Sequence, residues 1–310
     1  MIPAGISVAA PRPRRDFEVV GDTRLPVVVA LGGISANSHV VAHPGDPTPG
    51  WWQQVAAEGA ALDPRRCCLV GVEYAQAPGG VVTTQDQARV VAQVLDQLGV
   101  TRAHAVIGAS YGGMVALAFG EIYPARTARL IILCAAHASD PRTTALRVIQ
   151  RRILRLGLEV GREREAVALA RSLGVITYRG AEEFAARFTG SAAWNGGHPQ
   201  FPVESYLDHQ GARFARRFSA DRYLELSESL DLHRCDPGAI RVPTTLVGCR
   251  SDTVVPVRQL RELAARLAGP VQLHLLDSPT GHDAFLTEQA AVSRILADTL
   301  ALEHDDATVR

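Results

Sequence analysis

The chain contains no lysine, so all 32 of its fixed basic side chains are arginine. Schiff-base chemistry and any mechanism resting on a lysine amine are thereby excluded. Neither sign of charge is in excess: 32 acidic residues offset the arginines. A formal net charge of zero gives no global attraction to nucleic acid or to an anionic membrane. Cysteine is sparse and odd in number, at Cys67, Cys68, Cys134, Cys235 and Cys249. No pair has C-x-x-C spacing, and three lie in or beside apolar, strand-like runs. That pattern reads as reduced buried thiols rather than a disulfide framework, and no metal site is expected. The opening MIPAGISVAAPRPRRDF lacks a charged segment followed by an apolar one. No apolar run reaches the roughly 18 residues of a membrane span. These absences lead to the expectation of a cytoplasmic protein with no nucleic-acid or membrane partner.

What is present is enough apolar residue, 47% of the chain, for one large core with or without an inserted subdomain. Short β-branched runs alternate with helical periodicities. PVVVALGG (26–33), CCLVGVEY (67–74), AHAVIGAS (103–110) and ARLIILCAA (128–136) read as strands, each a continuous apolar run. Residues 84–98 have Val90, Val91, Val94, Leu95 and Leu98 on one helical face, and 114–123 read as a helix stopped by Pro124. Buried strands alternating with helices mean a parallel sheet covered on both faces. The rhythm breaks at about 139–233, which is Arg/Glu-rich and helical without convincing strands. It resumes with VPTTLVGC (242–249), a helix at 257–267, the strand VQLHLLD (271–277) and a last helix near 286–302. The expected organisation is a lead-in at 1–24, an α/β core made of 25–138 and 234–304, a helical lid at 139–233, and a frayed tail at 305–310.

Gly108-Ala109-Ser110-Tyr111-Gly112 matches G-x-S-x-G, with an apolar strand running straight into it and a helix following at once. A turn that sharp places the serine hydroxyl at the strand tip, and flanking side chains would clash there, hence the glycines. This is the nucleophile elbow of an α/β-hydrolase fold, which is the fold class expected. The fold orders its triad as Ser, acid, His, with the acid after a late strand and the His after the last one. Asp252, in CRSDTVVP, and His282, in SPTGHDAF, hold those positions. Asp277 and Asp283 compete with Asp252; Asp277 sits at a strand end with no fitting predecessor, and Asp283 is the neighbour of the base. One oxyanion donor is expected from the N–H of Tyr111, and the other from the loop beginning Leu31-Gly32, between those two residues undecided.

A serine triad serves esterases, peptidases and acyltransferases alike, so fold alone does not name the reaction. The segments LGGISAN (31–37), PGWW (49–52), TTQDQA (83–88), VITYRGAEEFAARF (175–188), FPVESYLDHQG (201–211), SLDLHR (229–234) and GHDAFL (281–286), in this order around the elbow, resemble the homoserine O-acyltransferase family of methionine biosynthesis. The resemblance implies ping-pong transfer of an acetyl or succinyl group from acyl-CoA to L-homoserine through acylated Ser110, in a homodimer that binds no resident cofactor. It also implies that Asp283 holds the substrate ammonium, with Arg187 and Tyr206 matching the family's lid-side Arg and Tyr, the Arg taking the carboxylate. Two departures stand out. Residues 74–82 are shorter than the usual Gly/Ser-rich loop, and Tyr111 replaces the Met of many acetyl-transferring members, touching donor choice. The resemblance extends to serine O-succinyltransferases, which share a WNGGH segment (194–198). A plain esterase or peptidase is the rival enzyme reading, and a non-catalytic scaffold is disfavoured by the intact Ser, Asp, His order.

Overall fold

The computed structural model describes residues 17–77 and 80–302 of the 310. The tail at 305–310 and the first 16 residues of the lead-in lie outside the described residues. The chain runs β1 (Phe17–Val20), β2 (Val27–Leu31), α1 (Gln53–Ala56), β3 (Cys68–Val72), α2 (Thr84–Gln97), β4 (Ala105–Ala109), α3 (Tyr111–Ile122) and β5 (Leu130–Leu133). Then come α4 (Pro141–Glu159), α5 (Glu163–Tyr178), α6 (Ala181–Arg187), β6 (Ala193–Asn195), β7 (His198–Gln200), α7 (Pro202–Ala215) and α8 (Ala220–Leu232). It closes with β8 (Thr244–Cys249), α9 (Val257–Arg266), β9 (Val271–Leu276), α10 (Ala284–Thr287) and α11 (Gln289–Leu300).

Seven strands form one sheet in the order β1-β3-β2-β4-β5-β8-β9, parallel except for β1. Alternation along each strand divides the core between the two faces. Val27, Val29 and Leu31 of β2 join Val106 of β4 and Ile132 of β5 in a cluster with α2 and α3. Val28 and Ala30 join Ile107 and Ile131 on the other face, against Trp52, Val55, Val292 and Leu296. From β2 the chain moves outward to β3 and then returns to the other side of β2 for β4. A crevice opens where strand order reverses in this way, at the carboxyl ends of β2 and β4. Gly32-Gly33 and Ser110 stand at those two ends.

Two features differ from the sequence reading. Phe17–Val20, inside the 1–24 lead-in, is an antiparallel edge strand paired with β3; the Pro/Arg-rich residues before it hid its alternation. Within 139–233 the helices α4 to α8 are accompanied by a small hairpin, β6–β7, separate from the main sheet. Its turn is Gly196-Gly197, both at positive φ (56° and 84°), the geometry of a two-residue type I′ hairpin.

The lid is joined to the core chiefly through α8 and its flanks. Tyr111 Oη and Ser229 Oγ share a hydrogen bond of 2.7 Å, and Ser139 Oγ donates to the Leu230 carbonyl at 2.6 Å. Thr84 Oγ1 donates to His233 Nδ1 at 2.8 Å, and His233 Nε2 donates to the Ala136 carbonyl at 3.1 Å. Burial pushes that imidazole down to about 3, so it stays neutral and serves as a fixed strut. Inside the lid, Asp231 accepts from Arg147 Nε at 2.8 Å and from Arg151 Nη1 at 2.5 Å, all three being nearly buried. Among the described residues no helix is long and apolar enough to cross a membrane.

Candidate active site

Strand β4 delivers Ser110 to the crevice in a backbone conformation few side chains tolerate, φ 55° and ψ −117°. The tightness of the turn explains its glycines. A Cβ at Gly108 would strike the Gly112 carbonyl, and one at Gly112 would strike the Leu31 carbonyl. The loop after β8 places Asp252, and the 3-10 turn Gly281–Asp283 after β9 places His282, both 4% exposed. Ser110 Oγ donates to His282 Nε2 at 2.8 Å, and His282 Nδ1 donates to Asp252 Oδ2 at 2.8 Å. The other carboxylate oxygen, Oδ1, accepts the N–H groups of Val254 (2.7 Å) and Val255 (3.0 Å). Both oxygens of the acid are thereby engaged, and the tautomer with hydrogen on Nδ1 is selected. Burial alone would lower the His282 pKa, but the charge and hydrogen bond of Asp252 outweigh it and hold the imidazole above its ordinary value. Such a chain can deprotonate a serine and store the proton. Asp277 is outside it, exposed and paired with Arg250 at 2.8 Å.

A pocket of about 340 Å³ opens over Ser110 and His282. Its wall includes Gly33 and Ile34, not Leu31 or Gly32. Leu31 is buried inside β2, and the Gly32 carbonyl is occupied by the Gly112 N–H (3.0 Å) and the Tyr74 hydroxyl (2.5 Å). A Cβ on Gly33 would lie 3.8 Å from Ser110 Cβ, in ordinary contact. Among the described residues no acceptor takes the N–H of Gly33, Ile34 or Tyr111. Of the loop that begins Leu31-Gly32, the residues lining the pocket are Gly33 and Ile34. The Tyr111 side chain does not face the pocket either. It is fully buried, packed edge-on against Tyr74 at 4.8 Å, and burial pushes its hydroxyl up to about 12. Its influence on donor choice through direct contact is thus removed.

Asp283 lines the pocket and pairs with Arg179 Nε at 3.1 Å. Its burial raises the carboxyl pKa, against the pull of the Arg179, His282 and Arg171 charges. Arg187 and Tyr206 are elsewhere. The Arg187 guanidinium lies 4.3 Å above the Tyr206 ring and 3.7 Å from Glu183, about half exposed, while Tyr206 packs with Phe184 and Phe188. They brace α6 against α7 outside the pocket wall. The arginine and tyrosine that do line it are Arg171 and Tyr178, both on α5. Tyr178 packs against the His282 ring at 5.9 Å between centroids, and Arg171 stacks on Tyr178 (5.0 Å) and Phe214 (4.7 Å). Sequence reading missed this pair. Their spacing of seven puts both on one helix face, two turns apart, and that was the available signal.

Two groups of potential metal ligands converge among the described residues. Cys134, Asp252 and His282 form one, but Asp252 and His282 are committed to each other and to Ser110. In the other, His39 Nε2 donates to the Thr48 carbonyl (2.7 Å), and His43 Nδ1 accepts from Gly45 N–H (3.1 Å). Both rings turn their remaining nitrogens to Glu18, a polar brace between β1 and the 39–48 loop.

An α/β-hydrolase-fold family model matches residues 26–289. A homoserine O-succinyltransferase of Xanthomonas campestris pv. campestris is 39% identical over 290 residues, covering 93% of this chain and 79% of that protein. The chain belongs to the homoserine O-acyltransferase family of α/β hydrolases. A homoserine O-acetyltransferase of Thermobifida fusca is 32% identical, covering 91% of this chain and 86% of its own. In fold, the homoserine O-acetyltransferase of Bacillus anthracis superposes with a TM-score of 0.84 over 92% of this chain and 91% of that one, at 17% identity. Homoserine O-acyltransferase relatives thus carry either acyl group in their names, and the elbow and its pocket belong to the part of the chain that the family covers.

Proposed function

We propose that this protein transfers an acetyl or succinyl group from acyl-CoA to the hydroxyl of L-homoserine, a step of methionine biosynthesis. The observation that carries the reading is a pocket in which the Ser110–His282–Asp252 chain faces both an acidic and a basic group, Asp283 and Arg171. A zwitterionic amino acid needs that pair: a carboxylate for its ammonium and a guanidinium for its carboxylate. Arg171 has no carboxylate partner among the described residues, being held only by aromatic faces.

Ser110 Oγ attacks the thioester carbonyl while its proton passes to His282 Nε2. The N–H of Tyr111 and those of Gly33 and Ile34 hold the oxyanion. The C–S bond breaks, His282 returns the proton to the CoA sulfur, and the acyl group stays on Ser110. Homoserine then enters, His282 takes the proton of its hydroxyl, and the new C–O bond forms as Ser110 leaves and is reprotonated. Asp252 keeps the imidazole in its tautomer through both halves. Acyl-CoA is consumed as a co-substrate, and the chemistry calls on no resident cofactor. The enzyme works in the cytoplasm as a homodimer, burying exposed apolar residues of the lid such as Leu156, Val160 and Leu169.

Mass spectrometry of products from acetyl-CoA and succinyl-CoA, each offered homoserine and L-serine, tests the transfer. O-acylhomoserine is expected, with thiol release strongly accelerated by the acceptor. Equal thiol release with and without acceptor, yielding only free acid, would make the protein a hydrolase. Light scattering on the eluting protein at micromolar concentration should give twice the chain mass, and a monomer there removes the dimer.

A further inference from the structure

The charges around the pocket do not balance, and the imbalance has a location. Five arginines line it, Arg147, Arg171, Arg179, Arg213 and Arg217, against two carboxylates, Asp140 and Asp283. Asp283 is answered by Arg179, and Asp140 is answered by Arg258 from outside the pocket. Near the mouth, surplus cations can meet the phosphates of CoA. Arg147 is different, because it is only 8% exposed and still lines the pocket.

Its position follows from α4. Thr143, one turn before Arg147 on the same face, donates from Oγ1 to the Val254 carbonyl at 3.2 Å. Val254 in turn donates its N–H to Asp252. The first turns of α4 are therefore pinned to the loop that carries the acid, and the positive charge of Arg147 is felt at His282. Arg147 and Arg151 share one carboxylate, Asp231, so this buried trio carries one positive charge too many. Arg147 meets Asp231 through Nε at 2.8 Å and Nη2 at 2.6 Å, and Nη2 also donates to Ser139 Oγ at 3.0 Å. Its Nη1 has no hydrogen-bond partner among the described residues, and the residue lines the pocket. A nearly buried cluster of two guanidiniums on one carboxylate, with an N–H of Arg147 still free at the pocket wall, favours an anion that completes it.

We propose that Arg147 receives the distal carboxylate of the acyl group, so that the donor is a dicarboxylic acyl thioester, succinyl-CoA, rather than acetyl-CoA. The inference rests on the acyl-transfer reading above and names its donor. The amino-acid carboxylate is served by Arg171; a second cation deeper in the same pocket calls for a second anion. An acetyl group has none, and would leave Arg147 as it stands.

The donor panel needs no mutation. Thiol release and O-acylhomoserine formation are measured with succinyl-CoA, its uncharged counterpart butyryl-CoA, and acetyl-CoA. Succinyl-CoA should exceed both others in kcat/KM by at least about 10²-fold, the worth of a dry, charge-assisted hydrogen bond. In R147Q the succinyl-over-acetyl ratio should fall by about 10²-fold, and in R147K, which keeps the charge and can still reach Asp231, by less. Thermal melting checks that each variant is folded; should R147Q not fold, the panel and R147K decide alone. Acetyl-CoA equal to or better than succinyl-CoA overturns the donor assignment while leaving transfer to homoserine standing. A succinyl preference that survives both substitutions moves the role away from Arg147. Absence of acylhomoserine from every donor defeats the acyl-transfer reading itself.

Discussion

Replacing Ser110 or His282 with alanine will lower thiol release from acyl-CoA by about 10³-fold or more, and the double variant will be little worse than either single one. The serine hydroxyl is a poor nucleophile until its proton has somewhere to go, and 2.8 Å away the Nε2 of His282 is the acceptor held for it. Once either member is gone the other has no task, which is why the losses do not add. What remains comes from the oxyanion donors and binding alone. Intact-mass measurement gives a second readout: acylated protein should appear for the native chain and be absent from Ser110→Ala. Ser110→Ala keeping a tenth of the activity would falsify the nucleophile assignment. The pH profile carries the sign of the His282 shift. The base must be neutral to act, and the Asp252 charge holds its pKa above the ordinary imidazole value. Acylation rate should therefore rise with pH along an acid limb displaced upward from about 6.5.

The two aspartates at the site should separate into different halves of the reaction. Asp252→Asn will depress acylation and transfer together, by about 10³- to 10⁴-fold, because the amide stabilises the wrong imidazole tautomer in both. Asp283→Asn leaves that chain of bonds intact. Its expected loss, about 10²-fold, falls on transfer to homoserine, where a bound ammonium would lack its partner. Stopped-flow thiol release followed by intact mass distinguishes the variants: a burst and a stable acyl-enzyme for Asp283→Asn, neither for Asp252→Asn. Because Asp283 also holds Arg179 at 3.1 Å, its loss frees a cation at the mouth, which should raise KM for homoserine more than for acyl-CoA. The reverse pattern, with acylation lost in Asp283→Asn and kept in Asp252→Asn, would exchange the two roles.

What could be read from the sequence was what local pattern encodes. Continuous apolar runs such as VVVAL and LIIL are strands because only a doubly covered sheet buries both of their faces, and they are so buried here. Ser110, Asp252 and His282 were legible because strand ends fix where side chains emerge, and the structure brings these three within hydrogen-bond distance. The lid resisted. Arginine is scattered through it, and charge alone cannot say which guanidinium faces inward. Motif context points to Arg187, yet it sits on an aromatic surface away from the pocket, while Arg171 and Tyr178 reach the cavity because α5 turns one face to it. Which residues of the loop after β2 reach the pocket is hidden from the sequence for a related reason. How far a loop advances beyond a strand depends on what its carbonyls bond to, and Gly32 is held back by Gly112 and Tyr74, two partners remote in sequence.

The side chains that would carry the reaction come from the ends of β4, β8 and β9, and so does Asp283, whereas the two arginines that would select the substrates' carboxylates, Arg147 and Arg171, come from the insert between β5 and β8. That division makes the insert a cassette. Selectivity can drift, or be transplanted from a relative, without disturbing the machinery beneath. The graft has a seam, however. The residue following the nucleophile, Tyr111, is bonded to Ser229, and Thr84 is bonded to His233. A donor insert lacking a hydroxyl at the first position or an imidazole at the second would strand a buried polar group at the elbow or beneath it. Chimeras cut before Ser229 should therefore inherit a new specificity intact, and those cut after His233 should inherit it with a disturbed nucleophile.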